Sequence, residues 1–527
     1  MKKVLVSDSL SEEGIEIFKN TPGIEVDVKT NLTPDELKAI IKDYDGLAVR
    51  SSTKANKEVI GLAEKLSVIG RAGVGFDNID VDAASKKGIV VMNTPGGNTV
   101  TTGEHAIAMM IALARKIPQA TASMKAGKWE KNKFMGTEFF NKTLGIIGIG
   151  RVGSIVADRC QGLKMNVIAY DPFIAPEAAA KIGITLVSLD DLFKTADFIS
   201  IHTPMTKETK GIVNKAAFAK MKKGALLINC ARGGIVNEKD LYEALIEGKI
   251  AGAALDVFEE EPTKNTELLA LEQVIATPHL GASTDEAQTN VAIAIAEQMA
   301  DYLTKGEIRN AVNFPSVSAE LLNVLQPYLV LAEKLGKFEA QLVAGGIEEV
   351  TVEYSGEIIE YNVAPITIAL LKGLLTPILN ENVNYINATV IAKERGIKVI
   401  EAKSSAVKDY TSMISLTIKT SKETSFAAGA IFGKQEPRIV KIDKFMVEVN
   451  PQGPMLVVYN YDRPGVIGNI GTTLGENSIN IARMHLSLDE EVKQALVVLS
   501  TDSMVSEEVM EKLRSLPHFI SVKSLHM

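Results

Sequence analysis

The sequence predicts a multidomain α/β protein built largely on parallel sheet. Three observations predict it. Two successive series of short apolar runs alternate with stretches of helical length. A glycine triplet, Gly148-Ile149-Gly150-Arg151-Val152-Gly153, stands between an apolar run and a helical pattern in the second series. The last part of the chain, 455–527, reads β-α-β-β-α-β. At 527 residues the chain has room for roughly three or four domains, because a domain usually runs about 100–200 residues.

In the first series the candidate strands are 4–7, 25–29, 46–50, 68–71 and 89–93. No glycine fingerprint follows its first strand. The second series has candidate strands at 143–149, 166–171, 185–187, 197–202, 225–229, 251–256 and 274–276. Strands alternating with helices imply a doubly wound sheet. A helix over 290–303 then leads to Gly306. Near Asn313-Phe314-Pro315-Ser316 the texture changes, to strand-like runs at 349–354, 413–419 and 439–449 and an apolar helix over 366–379. Pro451-Gln452-Gly453-Pro454 reads as a linker. The final strands are 455–459, 479–488, 494–500 and 521–525, with helices beginning at Pro464 and Glu507. Pro464 suits a first helical turn, and Ser506 suits an N-cap followed by two acids at the positive end of the dipole.

Composition narrows the function classes. The chain is 46% hydrophobic and 23% charged, as a soluble globular protein is. A net charge of −8 argues against nucleic acid or an anionic membrane as partner. Two cysteines, Cys160 and Cys230, make no disulfide framework, and a reducing cytoplasm is expected. The N-terminal apolar run is too short for a signal peptide. No apolar run approaches the ~18 residues that a transmembrane helix requires.

The triplet is informative because of its flanks. A buried strand precedes it, a helix follows it, and a second strand ends in Asp171. Gly148 permits a tight turn, Gly150 lets a pyrophosphate approach the backbone, and Gly153 lets helix and strand pack closely. Free N–H groups at the helix start hold the anion. The Asp171 carboxylate accepts hydrogen bonds from a ribose 2′-hydroxyl and repels a 2′-phosphate, so NAD is favoured over NADP. Flavin is the weaker alternative, since its fingerprint usually lies near the N-terminus.

Three polar residues follow strand-like segments of the same series: Arg232, Glu261 and His279. In a parallel sheet the carboxyl ends of the strands share one edge, where ligands bind. Dehydrogenation of a secondary alcohol needs a base for the hydroxyl proton and a cation for a carboxylate. His279 suits the first, Arg232 the second, and Glu261 would orient the histidine. Taken singly, each has a plainer reading. His279 is a loop histidine, Arg232 a surface turn beside Gly233 and Gly234, and Glu261 part of a solvated run, Glu259-Glu260-Glu261. His105, on an apolar helix, reads as a core residue, and Cys230 as a small packed one. No cluster has metal-ligand spacing, so no metal is expected.

Together these stretches resemble the D-2-hydroxyacid dehydrogenase family. They are Gly145 to Gly153, His202-Thr203-Pro204, Asn229 to Val236, Ala254 to Phe258 with Glu261-Pro262, and Pro278 to Ala282. The resemblance implies that Arg232, Glu261 and His279 are the catalytic trio. It also implies that Arg151, Val152, Thr203, Cys230, Asp256 and Gly281, with Arg232 and His279, line the NAD site. The implied fold is a Rossmann nucleotide-binding domain inserted in a split flavodoxin-like substrate domain, followed by an α/β intervening domain and a C-terminal ACT domain. The implied boundaries are 1–98 with 284–313, then 99–283, 316–450 and 453–527. Val49 to Thr53, Arg71 to Asp80, Asn93 to Asn98 and Lys128-Trp129-Glu130 resemble the branch of the family that oxidises 3-phospho-D-glycerate to 3-phosphooxypyruvate, on the way to L-serine. In that branch Arg50, Ser51, Arg71 and the Gly73 N–H are implied to meet the substrate, with Lys131 reaching a neighbouring subunit's site. Asp462 to Gly468 and Ile479-Asn480-Ile481 resemble an ACT domain, which implies L-serine as effector at Asp462 and Asn480, and a homodimer or homotetramer. The nearest rival activity is a glyoxylate or hydroxypyruvate reductase. A rival of another class is a corepressor that only senses NAD.

Overall fold

The structure is a computed structural model and describes residues 1–315, 319–379, 383–405, 410–433 and 435–527. Ser316, where a boundary is expected, lies outside the described residues.

The first sheet has five parallel strands, in the order Ile24–Val28, Lys2–Val6, Gly46–Val49, Val68–Arg71 and Val90–Met92. Successive side chains of a strand point to opposite faces. Val4, Val6, Ala48, Val68 and Val90 therefore enter one core, and Leu5, Leu47, Val49, Ile69 and Val91 the other. Burial on both faces is why these strands read as unbroken apolar runs. The helix Asp285–Lys305 returns to this sheet and packs Val291, Ile295 and Met299 on it. It is longer than the sequence suggests, because Thr284 caps its start and Gly306 ends it in the left-handed region at φ 75°.

The second sheet has seven parallel strands, ordered Val274–Ala276, Gly252–Leu255, Leu226–Asn229, Phe198–Ile201, Thr143–Ile147, Asn166–Tyr170 and Thr185–Leu186. Strand order reverses beside Thr143–Ile147, the strand that feeds the glycine loop. That reversal opens the crevice in which doubly wound sheets bind ligands.

The third sheet pairs Lys398–Ser404 in parallel with Ile347–Gly356, then continues antiparallel through Ser412–Thr420, Thr424–Phe432, Glu436–Ile442 and Phe445–Val449. The single run expected over 439–449 is a hairpin. Asp443 turns the chain at φ 50°, and its carboxylate accepts the Phe426 N–H at 3.1 Å. The fourth sheet is antiparallel, ordered Ile481–Asp489, Gln494–Thr501, Pro454–Tyr461 and Phe519–His526. Its first helix is Val466–Glu476 and does not begin at Pro464, because Gly465 occupies the N-cap at φ 93°.

These last two sheets share one core, in which Met455, Val457 and Leu525 meet Phe338, Ile414 and Ile439. Glu339 is fully buried there. One of its oxygens accepts from Ser425 Oγ at 2.6 Å, and the other has no partner. Burial outweighs the Ser425 bond, and with nearby Asp443 it pushes the carboxyl up to about 7. The folded state thus holds a proton that the unfolded chain releases above its ordinary carboxyl range. Stability supplied by this group is complete in acid and is lost as pH rises towards 7. Glu339→Gln is expected to raise Tm by about 2–4 °C at pH ~8 and to change little at pH ~4, as read in melting curves. Among the described residues, no helix is long and apolar enough to cross a membrane.

Candidate active site

The carboxyl ends of the first two sheets face each other across a cleft of about 460 Å³. Arg71 and Gly75 line one wall, Arg151, Val152, Thr203 and Cys230 the other, and Arg232 and His279 also face in.

The glycine loop is built for close approach. Gly148 stands at φ 92°, and a Cβ there would lie 2.7 Å from the His202 carbonyl oxygen. A Cβ on Gly153 would overlap the Gly148 carbonyl oxygen, so helix Arg151–Gly162 sits hard on the loop. A Cβ placed on Gly150 would meet nothing within 4 Å, and no side chain caps that helix. Its first N–H groups lack intrahelical partners by construction. An uncapped helix start beside open space fits a dinucleotide pyrophosphate. Asp171 accepts the Ile149 N–H and the Phe173 N–H, each at 2.9 Å, which fixes its carboxylate above the loop. Cys230 is buried, and burial pushes its thiol far up, so it is a wall and not a nucleophile.

Glu261 and His279 form a pair. Glu261 Oε2 lies 2.7 Å from His279 Nδ1, and Glu261 Oε1 accepts the Phe258 N–H at 3.1 Å. With Nδ1 tied, Nε2 is the nitrogen left for a substrate proton. The other two acids of the run are engaged elsewhere: Glu259 accepts the Glu238 N–H, and Glu260 meets Lys264. His279 itself sits in the left-handed region at φ 56°, and its N–H donates to the Asp256 carbonyl at 2.9 Å.

Arg232 is held by its turn. Asn229 Oδ1 accepts the Ala231 N–H, and Asn229 Nδ2 donates to the Arg232 carbonyl at 3.0 Å. The guanidinium Nε lies 3.5 Å from Asp77 Oδ2, a partner that sequence reading missed and that only chain folding brings near. A Cβ on Gly75 would overlap Arg232 Nη2. Gly75→Ala is therefore expected to displace the guanidinium and raise the substrate KM roughly tenfold. NADH affinity, measured by fluorescence titration, should stay within about twofold.

Arg71 shares the cleft wall, with Nε buried and unpartnered. Burial, and then the positive charges of Arg232 and Arg50, hold its pKa below the usual guanidinium value. A desolvated cation with an unused donor fits an anionic ligand.

The other expected ligands are placed differently. Arg50 does not line the cleft; its Nη1 donates to the Ser9 carbonyl at 3.2 Å and to Gln288 Oε1 at 3.3 Å. Ser51 is exposed beside it. The Gly73 N–H donates to Thr94 Oγ1 at 2.9 Å. Lys131 is exposed on the 3-10 helix Lys131–Phe134, outside the cleft. Asp256 and Gly281, expected as cofactor contacts, lie under the cleft wall. The Asp256 side chain is 1% exposed and accepts from Leu280 N at 2.7 Å and Gly281 N at 2.8 Å. His105 is not a plain core residue: its Nε2 lies 3.3 Å from Asp256. His202 does line the cleft, and burial pushes it down to about 4, so its ring is neutral at physiological pH. Asp462 and Asn480 are both exposed at the fourth sheet, and among the described residues no hydrogen bond joins them.

Comparison with known proteins agrees with this architecture. Residues 107–281 match the family model for the D-isomer specific 2-hydroxyacid dehydrogenase NAD binding domain. Residues 324–443 match the D-3-phosphoglycerate dehydrogenase intervening domain, and 455–518 match the ACT domain. The chain is 47% identical to the D-3-phosphoglycerate dehydrogenase of Archaeoglobus fulgidus, over 98% of each chain. It is 46% identical to that of Methanocaldococcus jannaschii and 40% identical to that of Bacillus subtilis, each over 100% of both chains. Among solved structures, it resembles a D-lactate dehydrogenase from Aquifex aeolicus complexed with NAD and lactic acid. That likeness has a TM-score of 0.53 and 29% identity, over 60% of this chain and 100% of the other.

Proposed function

This chain belongs to the D-3-phosphoglycerate dehydrogenase family, and on that premise we propose that it oxidises 3-phospho-D-glycerate to 3-phosphooxypyruvate with NAD, in the biosynthesis of L-serine. The observation that carries the chemistry is His279, which faces the same cleft as Arg232 and is paired through Nδ1 with Glu261.

Bound NAD supplies the hydride acceptor for the C2 hydrogen. His279 takes the C2 hydroxyl proton on Nε2 as the carbonyl forms. Glu261 holds the ring through Nδ1 and stabilises the imidazolium that results. Arg232 clamps the C1 carboxylate with its planar fork. Arg71 takes the phosphate end, with Arg50 adding positive charge and Ser51 lying at the rim. Asp171 selects NAD by accepting from a ribose hydroxyl.

The deciding experiment follows NADH absorbance with 3-phospho-D-glycerate and with D-glycerate. Arg71→Ala should raise KM for the phosphorylated acid at least tenfold and leave D-glycerate nearly unchanged. Equal wild-type efficiency on both acids would sink the phosphate assignment and favour a small-acid reductase. In an assembled homodimer or homotetramer, Lys131 reaches the neighbouring subunit's cleft. L-serine binds where two ACT domains pair, with Asp462 meeting its ammonium and Asn480 its polar atoms. The match of residues 455–518 to the ACT domain, on a four-stranded sheet with two helices, supports that reading.

A further inference from the structure

Beneath His279 lies a polar network that the reaction scheme above does not use. Asp256 follows the strand Gly252–Leu255, and its side chain is 1% exposed. A carboxylate taken out of water needs donors on its oxygens. This one has Thr277 Oγ1 at 2.6 Å, Leu280 N at 2.7 Å and Gly281 N at 2.8 Å. His105 Nε2 stands 3.3 Å from it and 3.2 Å from Thr277 Oγ1. Burial alone would push the Asp256 carboxyl up, but these donors, His105 first, hold it below the usual carboxylate range.

The network encloses the turn that carries the base. Thr277 precedes His279 by two positions, Leu280 and Gly281 follow it, and the His279 N–H donates to the Asp256 carbonyl at 2.9 Å. His279 is one of the non-glycine residues at positive φ, 56°. A β-carbon residue stays in that region only when its surroundings over-determine it. Asp256 supplies that constraint from both its backbone and its side chain. His105 belongs to a different element, helix Thr99–Ala114, whose first turn reaches the cleft at Thr99 and Thr102. It is partly exposed towards a surface groove shared with Met109, Gln119 and Thr277. Its ring nitrogen nevertheless turns inward to the carboxylate. A histidine kept merely to fill space would gain nothing from that orientation.

We propose that His105 is a positioning residue for this reaction, which through Thr277 and Asp256 holds the turn that presents His279 to the substrate. The proposal rests on the catalytic reading of His279. Loss of the His105 contact leaves Asp256 one donor short and frees Thr277 to rotate. The imidazole then samples positions away from the substrate hydroxyl, while the phosphate and carboxylate clamps, on other elements, are untouched. A misplacement of about 1 Å at a reacting group costs on the order of a hundredfold in rate.

The test uses the full chain with NAD and 3-phospho-D-glycerate. His105→Leu and Thr277→Val should each lower kcat by about ten- to a hundredfold. Substrate KM, and the Kd for NADH by fluorescence titration, should stay within about twofold. His105→Gln, which keeps a donor, and Thr277→Ser, which keeps the hydroxyl, should restore most of kcat. A kcat near wild type in both His105→Leu and Thr277→Val would overturn the proposal. So would a loss that neither conservative variant restores, since that marks packing alone. Should His105→Leu or Thr277→Val fail to fold, His105→Gln and Thr277→Ala are compared in its place by the same kcat-to-KM split. His279→Gln is assayed in parallel. If it is inactive while His105→Leu is normal, only the positioning role falls; if it is fully active, the catalytic reading falls first.

Discussion

His279→Gln is expected to fold, to bind NADH and to lose about 10²–10⁴ of kcat, the usual worth of a positioned acid or base. Glutamine keeps a donor that can meet Glu261, so the 2.7 Å pair need not collapse. What it lacks is a nitrogen able to take the hydroxyl proton. No other histidine in the cleft can substitute. Burial pushes His202 down to about 4, which makes it a weak base for the hydroxyl proton, and its Nε2 lies 2.8 Å from Ser200 Oγ. Glu261→Gln should cost less than His279→Gln, because it removes orientation and charge support and leaves the base in place. Steady-state rates with 3-phospho-D-glycerate, set beside NADH titrations, decide it. Retention of turnover within about tenfold in His279→Gln would move the base elsewhere.

Gly153→Ala should be the most damaging single methyl group in the cofactor loop. Its Cβ would overlap the Gly148 carbonyl oxygen, which is backbone and cannot swing aside. Helix Arg151–Gly162 would have to lift off the loop, taking with it the N–H groups meant for the pyrophosphate. Overpacking of this kind costs about 1–3 kcal/mol of stability. The Kd for NADH is expected to rise at least tenfold, and Tm to fall. Gly150→Ala separates the two effects. Nothing lies within 4 Å of a Cβ at Gly150, so Tm should hold while NADH binding weakens, because the methyl takes space meant for the ligand. Equal losses of Tm in the two variants would mean that Gly150 is structural and that its openness does not serve a ligand.

The parallel sheets were legible because their strands are short, apolar and bounded by turn residues. Their ends were less so. The run at 439–449 hides a hairpin, since only the left-handed Asp443 and its bond to Phe426 mark the turn. The helix start near Pro464 shifted because Gly465 takes the left-handed cap. In the cleft, Arg232 and His279 converge as their places after parallel strands suggest, and Arg71, named only from the family resemblance, joins them. Arg50 does not; Ser9 and Gln288, distant in sequence, bond it, as Thr94 bonds the Gly73 N–H.

The sequence by itself determined the local chemistry. Gly148, Gly150 and Gly153 can do their work only within one strand–turn–helix, and a base, a cation and a carboxylate can be named from their functional groups. Tertiary structure alone decided which polar groups remain free for a ligand. Asp256 was implied as a cofactor contact and its carboxylate is engaged by the turn around His279, while Asp77, to which the sequence assigned no role, meets Arg232. The reason is physical. A hydrogen-bonding group is available only if folding has not already paired it, and those pairings here join residues tens to hundreds of positions apart.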